Sequence, residues 1–142
     1  MATTTMEHVD FSQLVVLAVE DDAAGGAIIA LMMRRLGMKS YVDTTGRNIV
    51  RMANALKPAP DLILCDLNLP SKSGYEILKD LREHPRLDNT KIVAVTASDP
   101  HIAIPRCKEA GFDGYIAKPL RRRNFAMQIT RLMNGQPVWD SR

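Results

Sequence analysis

The sequence predicts an α/β fold: a doubly wound, five-stranded parallel sheet in the order 2-1-3-4-5. Three observations predict it. Short apolar runs rich in β-branched residues recur without polar alternation, the pattern of strands buried on both faces. Segments with apolar residues at helical spacing lie between them. The three strongest runs each end abruptly in an acid or a hydroxyl residue. Strand and helix alternate five times, which implies a parallel sheet wrapped by helices, and 2-1-3-4-5 is a common order for five such strands.

The elements follow in order. Met1 to about Ser12 is polar and without pattern, and reads as a loose leader. The first strand is Leu14–Val19, stopped by Glu20-Asp21-Asp22. Ile28, Ile29, Met32 and Leu36 mark the apolar face of the first helix, and Gly37 is its stop. Ser40-Tyr41-Val42 is a weaker second strand. Ile49, Ala53 and Leu56 mark a second helix that must end near Lys57, because Pro58 disfavours helix in the residue before it. Leu62–Cys65 is the third strand, ending in Asp66. Ile77, Leu78 and Leu81 mark the third helix, ended near His84-Pro85. Ile92–Val95 is the fourth strand, ending in Thr96, and Ala103, Cys107 and Ala110 mark the helix after it, with Gly111 at its end. Tyr115-Ile116-Ala117 is a weaker fifth strand before Lys118. Phe125, Ile129 and Leu132 mark the fifth helix, closed by Gly135. Domain boundaries follow: residues 1–12 leader, 13–135 the folded domain, 136–142 a tail in which Trp139, the only tryptophan, docks partly on the body.

Composition narrows the function. With 142 residues, 46% hydrophobic and 25% charged, the chain is an ordinary globular domain, neither disordered nor a coiled coil. No apolar run approaches the ~18 residues of a membrane helix, and Met1–Asp10 has no secretory pattern. Cys65 and Cys107 are too few for a disulfide framework or a zinc site, so a cytoplasmic location with two reduced thiols is expected. The net charge of +3 hides an asymmetry: residues 1–70 carry 6 basic and 8 acidic residues, residues 71–142 carry 13 and 8. A nucleic-acid binder would show that, and so would a protein that meets an acidic partner or an anion.

In an open α/β sheet, ligands bind outside the carboxyl ends of the strands. There the first strand delivers Glu20, Asp21 and Asp22; the third Asp66 and Asn68; the fourth Thr96, Ala97 and Ser98; the fifth Lys118 and Pro119. Taken singly, each has an ordinary role: Asp22 caps the following helix, a threonine bonds locally, a lysine is solvated. Together they bring carboxylates, a hydroxyl and an ammonium to one edge. Clustered carboxylates repel one another, and a hard cation relieves this. Mg²⁺ prefers oxygen ligands and is held by one or two carboxylates plus a phosphate. This predicts a Mg²⁺ (or Mn²⁺) site at Asp21 and Asp66, with Glu20 orienting its water shell. Lys118 would neutralise an incoming phosphoryl group, and a carboxylate oxygen would be the nucleophile.

These positions resemble the receiver domain of two-component response regulators, from about Leu14 to Asn134, of the chemotaxis-regulator-like, stand-alone type with a flavodoxin-like fold. The match rests on Glu20-Asp21-Asp22, Asp66, Pro70, Gly74, Thr96-Ala97 and Lys118-Pro119, with 45 residues from Asp21 to Asp66, 30 from Asp66 to Thr96 and 52 from Asp66 to Lys118. The resemblance implies that Asp66 is the phosphoacceptor. It implies that Glu20, Asp21, Asp66 and the backbone carbonyl of Asn68 serve the metal, and that Thr96, Ala97 and Lys118 bind the phosphoryl group. Thr96 and Tyr115 would form the switch, and the bond before Pro119 would be cis, which proline tolerates at modest cost. The donor would be a sensor histidine kinase or a histidine phosphotransfer protein. Output would pass to an unknown downstream protein through the fourth helix, fifth strand and fifth helix, with Arg106, Lys108, Tyr115, Arg121, Arg122 and Arg123 as surface candidates. A weak homodimer is compatible with this; a membrane or a nucleic acid is not an expected partner. The chain would be a switch and not an enzyme beyond its own phosphorylation and dephosphorylation, and its length leaves no room for an attached effector.

Some positions depart from the family pattern. The loop after Pro70 reads Ser71-Lys72-Ser73-Gly74, where Ser73 caps the third helix and Lys72 adds a charge near the site. Gly25-Gly26 weakens the first helix by roughly 1 kcal/mol per glycine, which suggests close approach or flexibility there. Asn68 and Ser98 occupy positions where the family tunes dephosphorylation. Arg121-Arg122-Arg123 is unfavourable at a helix N-terminus and suggests an acidic partner. Three other functions compete. A haloacid-dehalogenase-type phosphatase also uses Mg²⁺ and an Asp nucleophile but wants an acid where Asn68 stands, and on the first strand. A basic nucleic-acid-binding module fits the arginine run alone and would show steep salt dependence. A flavin carrier would need a phosphate-cradling loop where Glu20-Asp21-Asp22 would repel phosphate.

Overall fold

The computed structural model describes residues 7–140. The first six residues of the expected leader and residues 141–142 of the tail lie outside the described residues. The strands are β1 (Val15–Val19), β2 (Lys39–Asp43), β3 (Leu62–Cys65), β4 (Lys91–Thr96), β5 (Gly114–Ala117) and β6 (Val138–Asp140). The helices are α1 (Ala23–Arg35), α2 (Ile49–Ala55), α3 (Gly74–Arg82), α4 (Pro100–Ala110) and α5 (Arg122–Met133). All strands pair in parallel, in the order 2-1-3-4-5-6.

The sixth strand corrects the five-strand expectation. Gly135 has φ +78° and ends α5, and Pro137 precedes Val138, which pairs with Gly114 of β5. Three residues are too few to show a strand pattern in sequence, so the tail hid an additional β-α-β unit.

The sheet is covered on both faces. Alternate residues of β1, Leu17 and Val19, point with Ile63 and Ile92 into a layer shared with Ile49 and Ala53 of α2, Ile77, Leu78 and Leu81 of α3, and Cys107 of α4. The others, Val16 and Ala18, point with Leu64 and Val95 into a layer shared with Ile29 and Met33 of α1 and Phe125, Ile129 and Leu132 of α5. This two-sided burial is why β1, β3 and β4 read as unbroken apolar runs. Burying a side chain such as Phe125, fully enclosed here, contributes about 1.5–3 kcal/mol. The apolar face of α1 differs from the expected one: Gly26, Ile29 and Met33 are buried, and Ile28 is 49% exposed. An alanine-rich, largely apolar helix has several candidate stripes, and the sequence pattern alone does not single out the one that is buried.

The segment before β1 is better anchored than its polarity suggests. Glu7 and Asn134 exchange hydrogen bonds, from the Glu7 N–H to Oδ1 (2.8 Å) and from Nδ2 to the Glu7 carbonyl (3.1 Å). Val9 and Phe11 pack on the α1–α5 layer.

Candidate functional site

Each acidic side chain reaches the site because its strand stops there. β1 ends at Val19, and the Glu20 N–H still bonds the Asp43 carbonyl (3.2 Å), so Glu20 continues the sheet and is only 1% exposed. Asp21 projects from the turn and is exposed. Asp22 turns away to cap α1, accepting from the Gly25 N–H at 2.9 Å. β3 ends at Cys65, and the Asp66 N–H bonds the Val19 carbonyl (3.2 Å), which sets Asp66 beside Glu20. Glu20, Asp21 and Asp66 each offer a carboxylate oxygen, all within 4.8 Å of one another.

Two glycines make room for this cluster. A Cβ on Gly25 would sit 3.1 Å from the Glu20 carboxyl carbon. A Cβ on Gly74 would sit 2.4 Å from the Asp66 carbonyl, so only glycine lets α3 start directly beneath Asp66. Of the Gly25-Gly26 pair, close approach therefore accounts for Gly25, whereas a Cβ on Gly26 would meet only ordinary contacts at 3.8 Å.

Lys118 enters from β5. Its ammonium pairs with Glu20 and stands 3.1 Å from Oδ2 of Asp66. Burial pulls the Lys118 ammonium down, but the hydrogen bonds and charges of Glu20 and Asp66 outweigh it and hold it above the ordinary lysine value. One ammonium faces three carboxylates, so the site keeps a deficit of positive charge. An all-oxygen donor set of this size, with exposed Asp21 open to water, fits Mg²⁺. The Lys118–Pro119 peptide is cis, as is Lys57–Pro58.

Thr96 is fully buried at the end of β4, and Ala97 after it is exposed. The Thr96 hydroxyl lies 3.1 Å from the Ser98 hydroxyl, which also accepts a 2.7 Å hydrogen bond from the Asn68 side chain. The Asn68 N–H donates to Oδ1 of Asp66 (3.2 Å). Tyr115 is fully buried, and its hydroxyl donates to the Ser98 carbonyl (2.9 Å). Burial pushes the Tyr115 phenol up. Ser98 thus joins Asn68, Thr96 and Tyr115, a junction that sequence reading does not assign because a serine two residues past a strand carries no distinctive signal.

The surface candidates scatter. Arg106 stacks on the Tyr75 ring (4.3 Å) and Lys108 lies over the Trp139 ring (5.2 Å). Arg121, Arg122 and Arg123 are exposed at the start of α5, where Arg121 makes no capping bond. Among the described residues none of these three is in an ion pair. Lys72, expected to place charge near the site, is instead paired with Asp80 on α3.

A doubly wound α/β domain with an acid–lysine cluster at the carboxyl ends of its central strands is thereby defined. The chain belongs to the response regulator receiver domain family, whose profile matches residues 16–130. It is 33% identical over 125 residues to the peroxide stress-activated histidine kinase mak1 of Schizosaccharomyces pombe, covering 84% of this chain but only 8% of that kinase. It is 28% identical over 122 residues to the two-component response regulator ORR6 of Oryza sativa, covering 85% of this chain and 72% of that protein. The chemotaxis response regulator CheY4 of Vibrio cholerae shares the fold with a TM-score of 0.75 at 23% identity, covering 84% of this chain and 98% of that one. The receiver domain of the sensor histidine kinase PA1611 of Pseudomonas aeruginosa, solved with a magnesium ion in its active-site cleft, superposes with a TM-score of 0.75 at 29% identity, covering 87% of this chain and 98% of that one. Receiver domains act as phosphoacceptor switches of two-component systems and bind Mg²⁺ in the acidic cleft. Among the described residues, no helix is long and apolar enough to cross a membrane.

Proposed function

We propose that this chain accepts a phosphoryl group on Asp66 from the phosphohistidine of a sensor kinase or phosphotransfer protein. The observation that supports this most is the convergence of Glu20, Asp21, Asp66 and Lys118 from three strands. A carboxylate oxygen of Asp66 would attack phosphorus as the P–N bond of the donor breaks, the imidazole nitrogen keeping the electron pair. Lys118 neutralises one phosphoryl oxygen from the side of Glu20. Glu20, Asp21, Asp66 and the Asn68 carbonyl would hold Mg²⁺, which supplies countercharge to the same oxygens. The Thr96 hydroxyl and the Ala97 N–H would bind the remaining oxygens, with Tyr115 filling the space behind Thr96.

Incubation with Mg²⁺ and acetyl phosphate tests this reading. Intact mass should rise by one phosphoryl group, should not rise in Asp66→Asn, and should not rise when Mg²⁺ is chelated. Uptake that survives Asp66→Asn contradicts it.

A further inference from the structure

The α4–β5–α5 surface already carries an occupant. β6 lies along the edge of β5 with Val138 opposite Gly114, Trp139 opposite Tyr115 and Asp140 opposite Ile116. Three features show a fitted seat. A Cβ on Gly114 would sit 2.8 Å from the Val138 carbonyl, so the glycine is what admits the strand at this distance. Val138 is fully buried in the layer with Ile116 and Leu132. Both flanking helices grip the strand. From α5, Gln128 donates to Asp140 (2.9 Å) and Arg131 donates to the Pro137 carbonyl (3.3 Å); from α4, Lys108 lies over Trp139.

Trp139 also bears on the phosphoacceptor site. Register partners on adjacent strands present their side chains to the same face, and Trp139 packs against the layer that contains Tyr115. Tyr115 is tied to Ser98, and Ser98 to Thr96. A continuous set of contacts thus runs from the strand end next to Asp66 to β6.

We propose that β6 is an intramolecular ligand of the α4–β5–α5 face, and that its docking is coupled to the occupancy of Asp66 through Thr96, Ser98, Tyr115 and Trp139. With Trp139 in place, Tyr115 is held inward, and whatever favours the inward Tyr115 favours docked β6. Coupling of this kind is reciprocal. A partner that reads this face must meet β6 or displace it with its own extended segment, of apolar–aromatic–acidic pattern, since that is the chemistry the seat accepts. The inference rests on the phosphoacceptor reading for the role of Asp66.

Trp139 is the only tryptophan, so its fluorescence reports β6 alone. The full chain is titrated with Mg²⁺ and beryllofluoride, a phosphoryl mimic, while acrylamide quenching of Trp139 is followed; acetyl phosphate uptake is measured separately by mass. Quenching should fall on saturation in the wild type and stay constant in Asp66→Asn. Gly114→Ala, and independently Asp140→Ala, should raise basal quenching and weaken beryllofluoride binding about fivefold, with circular dichroism checking that each is folded. If Asp66 takes up phosphate while Trp139 quenching is unchanged or rises, the coupling is overturned and the phosphoacceptor reading stands. If Asp66 takes up nothing, both fall. If both variants bind beryllofluoride like the wild type while their tryptophan is freed, the coupling is overturned as well.

Discussion

The ammonium of Lys118 stands 3.1 Å from Oδ2 of Asp66 and at the same time pairs with Glu20. The two partners lie 52 and 98 residues away in sequence. They meet because β1 and β3 are adjacent and β5 ends on the same edge of the sheet. The lysine is thus a resident cation among the carboxylates of the acidic cluster.

Lys118→Met removes that charge. Phosphoryl uptake from acetyl phosphate should fall by about tenfold or more, since about 1.4 kcal/mol of lost charge stabilisation is a factor of ten. Mg²⁺ binding should tighten, because a competing cation has left; calorimetry reads it. The pH dependence has a defined sign. Glu20 and Asp66 raise the folded-state value above the ordinary 10.5, so the lysine's contribution to stability is complete at neutral pH and fades as pH rises through that raised value. The stability gap between wild type and Lys118→Met, measured in urea, should be constant from neutral pH to mildly alkaline pH and should narrow above 10.5.

Gly74→Ala places a Cβ 2.4 Å from the Asp66 carbonyl. Backbone must shift to relieve it, at a cost of about 1–3 kcal/mol. Because the shift occurs beneath Asp66, phosphoryl uptake should fall in the fraction that remains folded. Urea unfolding and uptake, measured together, check both; wild-type values for both would be inconsistent with this geometry.

Asp43 is 4% exposed and binds the loop after β2. It accepts from the Thr45 N–H (3.0 Å), the Thr45 hydroxyl (2.9 Å) and the Asn48 N–H (2.8 Å). Burial alone would raise its carboxyl, but these bonds prevail and lower it below the usual 3.8. Its stabilisation is therefore present above 3.8 and is lost as pH falls through the lowered folded value. Asp43→Ala should cost about 1.5–3 kcal/mol at pH 7. The difference from wild type should shrink in strongly acidic solution, as read by urea midpoints.

Both cysteines are buried, and burial pushes the Cys65 and Cys107 thiols up. The thiolate is the reactive form. Neither should react with iodoacetamide in the native state at pH 7.5, and both should react in urea. Mass spectrometry after timed alkylation checks this.

How much was legible follows from how local each signal is. Glu20, Asp21, Asp66, Thr96 and Lys118 sit where apolar runs stop, and two-sided burial made β1, β3 and β4 conspicuous, so the acid cluster could be assembled from strand ends. β6 could not, because Val138-Trp139-Asp140 is shorter than any readable period and its burial depends on Gly114 admitting it. The Ser98 junction depends on side chains from two loops 30 residues apart. That Lys72 pairs with Asp80 of α3 is a choice that neither composition nor the loop pattern reveals.

On the proposed function, Asp66 carries the phosphoryl group. Borohydride reduces an acyl phosphate, converting the aspartate to homoserine. The protein, phosphorylated with acetyl phosphate and Mg²⁺, is reduced, digested and mapped by mass spectrometry. Homoserine at position 66 is the predicted result. Homoserine at another aspartate, or none in a protein that has taken up phosphate, would contradict the account.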